Sequence, residues 1–290
     1  MKYTIENEFL KVTVDSVGGE LQSVIRKEDG VEHIWQPRPG SWKRCAPVLF
    51  PYSGVIGNGE FRVKGKTYKG EAHGFCKNME HTLLRNTGNS LVLELRDSPQ
   101  TLEMWPFRFR LEAVFTLEGD TLHQTLTVEN TGEEALSFSI GFHPGFKLPF
   151  DGEHSASDYY LGFDKNESPL CMNAGESGRY GEQTYYLGAN IRQIPLTDHL
   201  FDNDSHNMTG LQSDTLGLYE KGTGRGVVCS IRKFPYTVIW SRPGTPEFVC
   251  IEPWHTLPTG HIPDWEDKPA AAVLQPGENW STTLTMSFVR

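Results

Sequence analysis

The chain has 290 residues and a formal net charge of −10 at pH 7, so its surface repels nucleic acid and anionic membranes, while leaving room for one small anionic ligand in a local basic pocket. A chain of this length, folded as one domain, buries roughly three quarters of the surface its unfolded form exposes and needs neither disulfides nor a structural metal. The cysteines, Cys45, Cys76, Cys171, Cys229 and Cys250, are odd in number and none sits in a C-x-x-C spacing, which argues against a disulfide framework and a zinc ribbon.

The 29 Gly and 18 Pro mark a turn-rich chain, suited to many short strands. The first residues, Met1 to Glu8, carry no apolar signal core, and no window approaches a membrane span. The expectation is a cytoplasmic protein with no membrane partner. Residues 9–14 alternate as a strand does. After Gly18-Gly19, residues 21–26 fit either a short strand or a turn of helix. Residues 90–95 alternate again. Phe107, Phe109, Leu111, Ala113, Phe115 and Leu117 then form one dry face, the mark of a half-buried strand. A turn at Glu118 to Thr121 leads to a second such strand, with His123, Thr125, Thr127 and Glu129 outward. Leu136, Phe138, Ile140 and Phe142 form a third apolar row. Three strands joined by short turns read as an antiparallel meander. Residues 151–204 are polar and weakly patterned, and read as long loops carrying a few strands, where binding groups tend to sit. Further strands are expected at 226–231, Tyr236–Trp240, 248–252 and 281–289. No repeat, low-complexity tract or linker divides the chain, so one domain over residues 1–290 is expected.

Two runs carry the chemistry. Gly141-Phe142-His143-Pro144-Gly145 offers an imidazole, and Cys250-Ile251-Glu252-Pro253-Trp254 offers a carboxylate. Each lies at the end of a strand against a proline. Alternation puts His143 on the face of Ser137, Ser139 and Gly141, small residues that leave room for a ligand; the plain alternative is a surface histidine at a strand end. Glu252 follows Phe-Val-Cys-Ile, and partial burial raises a carboxylate's pKa and makes it a better base near neutrality. A buried, satisfied carboxylate is the alternative there. His73, before Gly74, can bind a hydroxyl or a developing oxyanion, or is only a turn residue. Arg44, ahead of an apolar run bounded by prolines, is a ligand clamp or an ordinary ion-pair partner. Trp240 and Trp254 can stack on a sugar or belong to the core. His73, His143 and Glu252 are zinc-ligand types but lack a short-range ligand spacing, so no metal site is expected. No serine sits in G-x-S-x-G, and His-Pro interrupts the glycines of 141–145, so neither a nucleophile elbow nor a phosphate loop is present.

These runs, in this order, resemble the aldose 1-epimerase (galactose mutarotase-like) family, in its LacX-like branch. The resemblance covers nearly the whole chain. It begins with Asn7 to Val14 and Gly18 to Ser23, continues through His33 to Gln36, Arg44 to Gly54, Glu71 to Phe75, Gly141 to Gly145 and Phe248 to Trp254, and closes with Leu274 to Glu278. It implies an all-β, antiparallel β-supersandwich that interconverts the α and β anomers of free aldoses without a cofactor. It also implies His143 as general acid, Glu252 as general base, and His73 and Arg44 as substrate groups. The family's sugar-binding aspartate corresponds to Asp202 or Asp204, and the alignment does not choose. Trp254 is counted among the sugar contacts.

On this reading Glu252 takes the proton of the C1 hydroxyl while His143 protonates the ring oxygen. Activity then requires an ionised Glu252 beside a protonated His143, and the neighbouring carboxylate is expected to raise the histidine's pKa. Two rivals stand. A hexose-6-phosphate 1-epimerase of the same fold would need basic groups such as Arg44, Lys43 and Arg242 near C6. A non-catalytic carbohydrate-binding module would not need a matched acid and base. Composition and motifs leave the oligomeric state unassigned.

Overall fold

The computed structural model describes residues 1–174 and 179–290. Among them the architecture is antiparallel β throughout, with one short α-helix, Pro99–Met104, started by a Ser98 capping box. Two large sheets dominate. The nine-stranded sheet runs, in spatial order, Ile191–Pro195, Tyr159–Glu167, Thr215–Glu220, Gly226–Ser230, Asn279–Val289, Thr121–Asn130, Phe109–Glu118, Ser90–Arg96, Thr82–Asn86. The eight-stranded sheet runs Tyr180–Tyr186, Leu170–Ala174, His206–Thr209, Tyr236–Trp240, Phe248–Trp254, Gly141–Phe142, Val48–Leu49, with Gly145–Lys147 also paired to Phe248–Trp254. A four-stranded sheet of Lys2–Glu6, Leu10–Asp15, Glu20–Arg26 and Val31–Glu32 joins them. Residues 21–26 are therefore strand, not helix.

The alternation of Phe109–Glu118 does what its pattern implies. Phe109, Leu111, Ala113, Phe115 and Leu117 are buried in one continuous core that also takes Leu122, Leu126 and Val128 from the next strand. The polar face of Thr121–Asn130 meets Asn279–Val289 in a ladder of hydroxyls: Thr121 with Ser287, Thr125 with Thr283 and Thr127 with Ser281, at 2.8–2.9 Å. Cross-strand pairs of this kind each add a few tenths of a kcal/mol, up to ~1.

Two expectations are corrected. The strand expected to follow Thr121–Asn130 in the meander is not there. The neighbour of Thr121–Asn130 is Asn279–Val289, and the Leu136–Phe142 row leaves the sheet. Leu136–Phe138 pairs with Ala272–Leu274, and Gly141–Phe142 enters the eight-stranded sheet. The reason is burial: Leu136, Phe138, Ile140 and Phe142 are all inside the core, and a row that bridges the two layers buries more than one lying at the edge of a single sheet. The second correction concerns 151–204. Much of it is strand, in Tyr159–Glu167, Leu170–Ala174, Tyr180–Tyr186 and Ile191–Pro195, with residues 175–178 outside the described set. Its polarity reflects strands with one wet face. Among the described residues no helix is long and apolar enough to cross a membrane.

Candidate active site

Strand Phe248–Trp254 lies inside the eight-stranded sheet, and all seven of its residues are buried. Its register with the segment that carries His143 is set on both sides: Gly141 faces Trp254, and Gly145 faces Cys250. His143 therefore stands directly opposite Glu252 across two strands, with Pro144 held by its carbonyl, which accepts from the Ile251 N–H at 3.3 Å. The two side chains meet, His143 Nε2 lying 3.2 Å from Glu252 Oε2. Residues far apart in sequence thus become a cross-strand pair because both flanking segments fit one β register.

The glycines around them make room for aromatic walls rather than for a ligand. A Cβ on Gly141 would lie 2.7 Å from Trp254 Cδ1, and one on Gly145 would lie 2.6 Å from Trp42 Cζ3. Ser137 and Ser139, expected to open space over His143, lie elsewhere, Ser137 half-buried and Ser139 buried. Ser137 accepts from the Trp265 indole and Ser139 pairs with Thr256, because the chain leaves regular strand between Phe138 and Gly141 and the alternation lapses there. Trp42 stacks on His143, with centroids 5.0 Å apart, and Trp240 meets the same ring edge-on at 5.8 Å. Trp254 packs edge-on against His73 at 5.7 Å. Trp42 had no distinguishing signal in the sequence beyond its place two residues before Arg44.

These groups line one pocket of about 360 Å³, together with Arg44, His73, Lys77, Tyr180, Asp204, Ser205 and Val238. All six residues singled out in the sequence line it: His143, Glu252, His73, Trp254, Asp204 and Arg44. The two candidate aspartates differ in position. Asp204 lines the pocket, whereas Asp202 lies outside it and pairs with His199 at 2.9 Å. Two of the pocket's residues sit in the left-handed backbone region, His73 at φ 65° and Asp204 at φ 71°. For residues other than glycine that conformation costs about 1–3 kcal/mol and concentrates at functional sites.

Arg44 also reaches the wall, but its guanidinium is occupied. It donates to Glu20 at 3.1 Å, to the Lys77 carbonyl at 2.9 Å and to Asn78. Glu20 is itself buried and accepts from the Cys45 and Ala46 N–H groups at 2.7 and 3.1 Å. Lys77 is likewise turned to the Ala72 and Gly74 carbonyls. Lys43 and Arg242 are not among the lining residues.

The electrostatics follow from burial. Glu252 is 1% exposed. Burial, then the Asp204 charge, pushes its carboxyl well above the usual carboxylate range. Burial, then His73, pushes His143 well below the usual imidazole range. The expected upward shift of His143 is thus reversed, because two tryptophans and a second imidazole surround it and desolvation outweighs the partner carboxyl. His73 is pushed down to about 4 by burial and by Lys77. Its Nδ1 accepts from the Gly54 N–H at 3.1 Å, so the ring is neutral and its proton sits on Nε2. Three buried atoms of the pocket lack a hydrogen-bond partner: His143 Nδ1, Glu252 Oε2 and Trp254 Nε1. The His143–Glu252 contact is close but not aligned as a hydrogen bond. Buried polar atoms are nearly always paired, and these three belong to residues that line one pocket, although each atom is itself closed off from solvent. His143, Cys250 and Glu252 bring one donor atom each within 4.8 Å of one another. Burial, then the Glu252 charge, pushes the Cys250 thiol well above its ordinary range.

A buried imidazole–carboxyl pair beside neutral donors and tryptophan walls, on an antiparallel β-supersandwich, is equipment for acid–base chemistry on a hydroxyl-bearing ligand. The chain belongs to the aldose 1-epimerase family, whose model matches residues 1–287. It is 30% identical over 289 residues to the chromosomal protein LacX of Lactococcus lactis subsp. lactis, covering 95% of each chain. A galactose mutarotase related enzyme from Lactobacillus acidophilus superposes with a TM-score of 0.93 at 31% identity, over 100% of this chain and 98% of that one. A galactose mutarotase-like protein from Lactobacillus casei ATCC 334 superposes with a TM-score of 0.91 at 26% identity, over 100% of both chains.

Proposed function

We propose that this chain, as one catalytic domain over residues 1–290, interconverts the α and β anomers of a free aldose. The observation that carries this reading is the imidazole–carboxyl pair, closed to 3.2 Å at the floor of a single pocket. A pyranose inverts at C1 only by opening to the aldehyde, turning about C1–C2 and closing on the other face. Opening takes a proton from O1 and adds one to O5.

The pair holds one proton between its two members. In the free protein the directions of the shifts put that proton on Glu252 and leave His143 neutral. Passing it to Nε2 creates the carboxylate that receives the O1 proton and the imidazolium that protonates O5. At the aldehyde stage the pair is neutral again, the arrangement that burial favours. Closure reverses both transfers. Each positioned acid or base contributes ~10²–10⁴-fold, or ~3–5 kcal/mol at 1.36 kcal/mol per decade. His73, with its proton on Nε2, acts as a neutral donor to an oxygen on which charge develops. Asp204 and the tryptophans hold the ring. Arg44 acts at one remove, by fixing the wall through Glu20, Asn78 and Lys77.

The phosphosugar alternative has less to work with, since both cations on the wall are bound to carbonyls and acids. Polarimetry on freshly dissolved α-D-glucose and α-D-galactose, beside their 6-phosphates, tests the proposal. Faster mutarotation of a free aldose is expected. Acceleration confined to the phosphates, or none with any sugar, overturns it.

A further inference from the structure

Two of the unpartnered atoms in the pocket are complementary. Trp254 Nε1 carries a hydrogen and only donates, whereas Oε2 of an ionised Glu252 only accepts. Both atoms are closed off from solvent and neither has a partner. Trp254 lines the pocket with its ring, but its nitrogen is sealed, so the indole N–H is available to the protein and not to a sugar. The side chain therefore has two separable features, a wall and a donor.

The strand sets the donor beside the acceptor. Glu252 and Trp254 are two residues apart in Phe248–Trp254, so their side chains leave the same face of the sheet. The indole is held from several sides. Gly141, opposite it in register, lacks the Cβ that would lie 2.7 Å from Cδ1, the carbon bonded to Nε1. Leu49, Val238 and Tyr236 pack with the ring, and His73 meets it edge-on at 5.7 Å. Burial and the Asp204 charge hold Glu252 protonated, while the Trp254 side chain draws it the other way.

We infer that Trp254 is a positioning residue for the base: when the proton passes from Glu252 to His143, the indole N–H closes onto the carboxylate left behind and holds it while it takes the O1 proton. This rests on the mutarotase reading. In the resting pair the carboxyl is neutral and needs no further donor. In the working pair it is a buried anion, which is costly without one.

The groups around the carboxyl decide which limb of the pH profile responds. His143, Cys250 and Asp204 face Glu252. His73, Arg44, Lys77 and Tyr180 complete the ionisable lining of the pocket. Trp254→Phe alters none of them. On the acid side the proton comes off His143 while the carboxyl stays neutral, so the indole has no anion to hold. On the basic side the carboxyl itself ionises beside a neutral imidazole, and without the indole N–H that step moves to higher pH.

Trp254→Phe keeps an aromatic wall and removes the donor. Polarimetry across pH should show kcat lower by about ten- to a hundredfold, KM within about threefold of the parent's, the basic limb raised by about one to two pH units and the acid limb unmoved. The loss in kcat and the shift of the limb should agree, since one bond sets both. A raised KM with unchanged kcat, an unmoved basic limb, or both limbs displaced together overturns the inference.

Proton–nitrogen NMR on the intact protein reads the same bond without turnover. The indole N–H signal of Trp254, identified by its absence in Trp254→Phe, should move downfield as Glu252 ionises and stay nearly fixed across the same pH range in Glu252→Gln. Should Trp254→Phe not fold, the signal is the one among the seven tryptophans that responds to pH in the parent and not in Glu252→Gln. If no sugar is turned over at all, the mutarotase reading fails, and this titration still decides the contact: an indole signal that ignores pH, or that moves equally in Glu252→Gln, sinks it.

Discussion

Replacing Glu252 with glutamine separates chemistry from stability in a single variant. Glutamine matches the carboxyl in shape, fits the same buried site, and cannot take the O1 proton. If the carboxyl is the base, turnover falls ~10²–10⁴-fold, a barrier increase of ~3–5 kcal/mol, while sugar binding persists through His73, Asp204 and the tryptophans. Stability should move the other way. The folded-state pKa of Glu252 lies above its unfolded value, so the native state binds more protons than the unfolded chain from about pH 4.5 upward, and this carboxyl's contribution declines as pH rises toward the folded value. Glutamine does not titrate, so Glu252→Gln should match the parent near pH 4 and melt at an equal or higher temperature at pH 8. Saturation-transfer NMR or polarimetry measures the first effect, and melting curves across pH measure the second. A variant that turns over sugar within tenfold of the parent refutes the role of the carboxyl. A variant that is less stable at pH 8 refutes the account of its electrostatics.

The pH–rate profile should be bell-shaped, because the working pair carries one proton: activity falls on the acid side as His143 and Glu252 both become protonated, and on the basic side as the pair loses its last proton, with that limb above the ordinary carboxylate range. Asp204→Asn removes the charge that helps to raise Glu252, so the basic limb should move to lower pH and KM should rise; Asp202→Asn, outside the pocket, should change neither, and an unshifted limb in the first variant counts against the assignment. Gly141→Ala would set a Cβ 2.7 Å from Trp254 and should cost about 1–3 kcal/mol of stability and about 10²-fold in turnover through displacement of that wall; unchanged kinetics would show that the wall does not position the sugar. Glu20→Ala leaves the Cys45 and Ala46 N–H groups without their acceptor, at about 1–3 kcal/mol each; a denaturant-derived loss below about 1 kcal/mol would contradict that accounting.

The strands were legible where one face is wet. Phe109–Glu118 and Thr121–Asn130 could be read because solvent keeps every second residue polar. Phe248–Trp254 is buried on both faces, so its alternation is weak, and what marked it was a carboxyl in apolar company. His143 and Glu252 were legible as chemistry, since each stands among residues that do not otherwise call for an ionisable group. The direction of the His143 shift was not, because it depends on Trp42 and Trp240, which arrive from distant parts of the chain. Nor was the partner of Thr121–Asn130, because sequence alternation specifies which face is dry and not which strand lies alongside. Asp204 became distinguishable from Asp202 only through a backbone turn that sends one side chain inward and the other to His199.

The location of Asn279–Val289 bears on how the molecule assembles. It is the last strand in chain order, yet it is the fifth of nine in its sheet, wedged between Gly226–Ser230 and Thr121–Asn130. During synthesis the two halves of that sheet must wait, each with a bare row of N–H and C=O groups, until this segment leaves the ribosome. Such open rows recruit other chains, so the nascent protein depends on a keystone made after every other strand of that sheet, and removing a few of its residues should yield aggregation rather than a smaller folded unit.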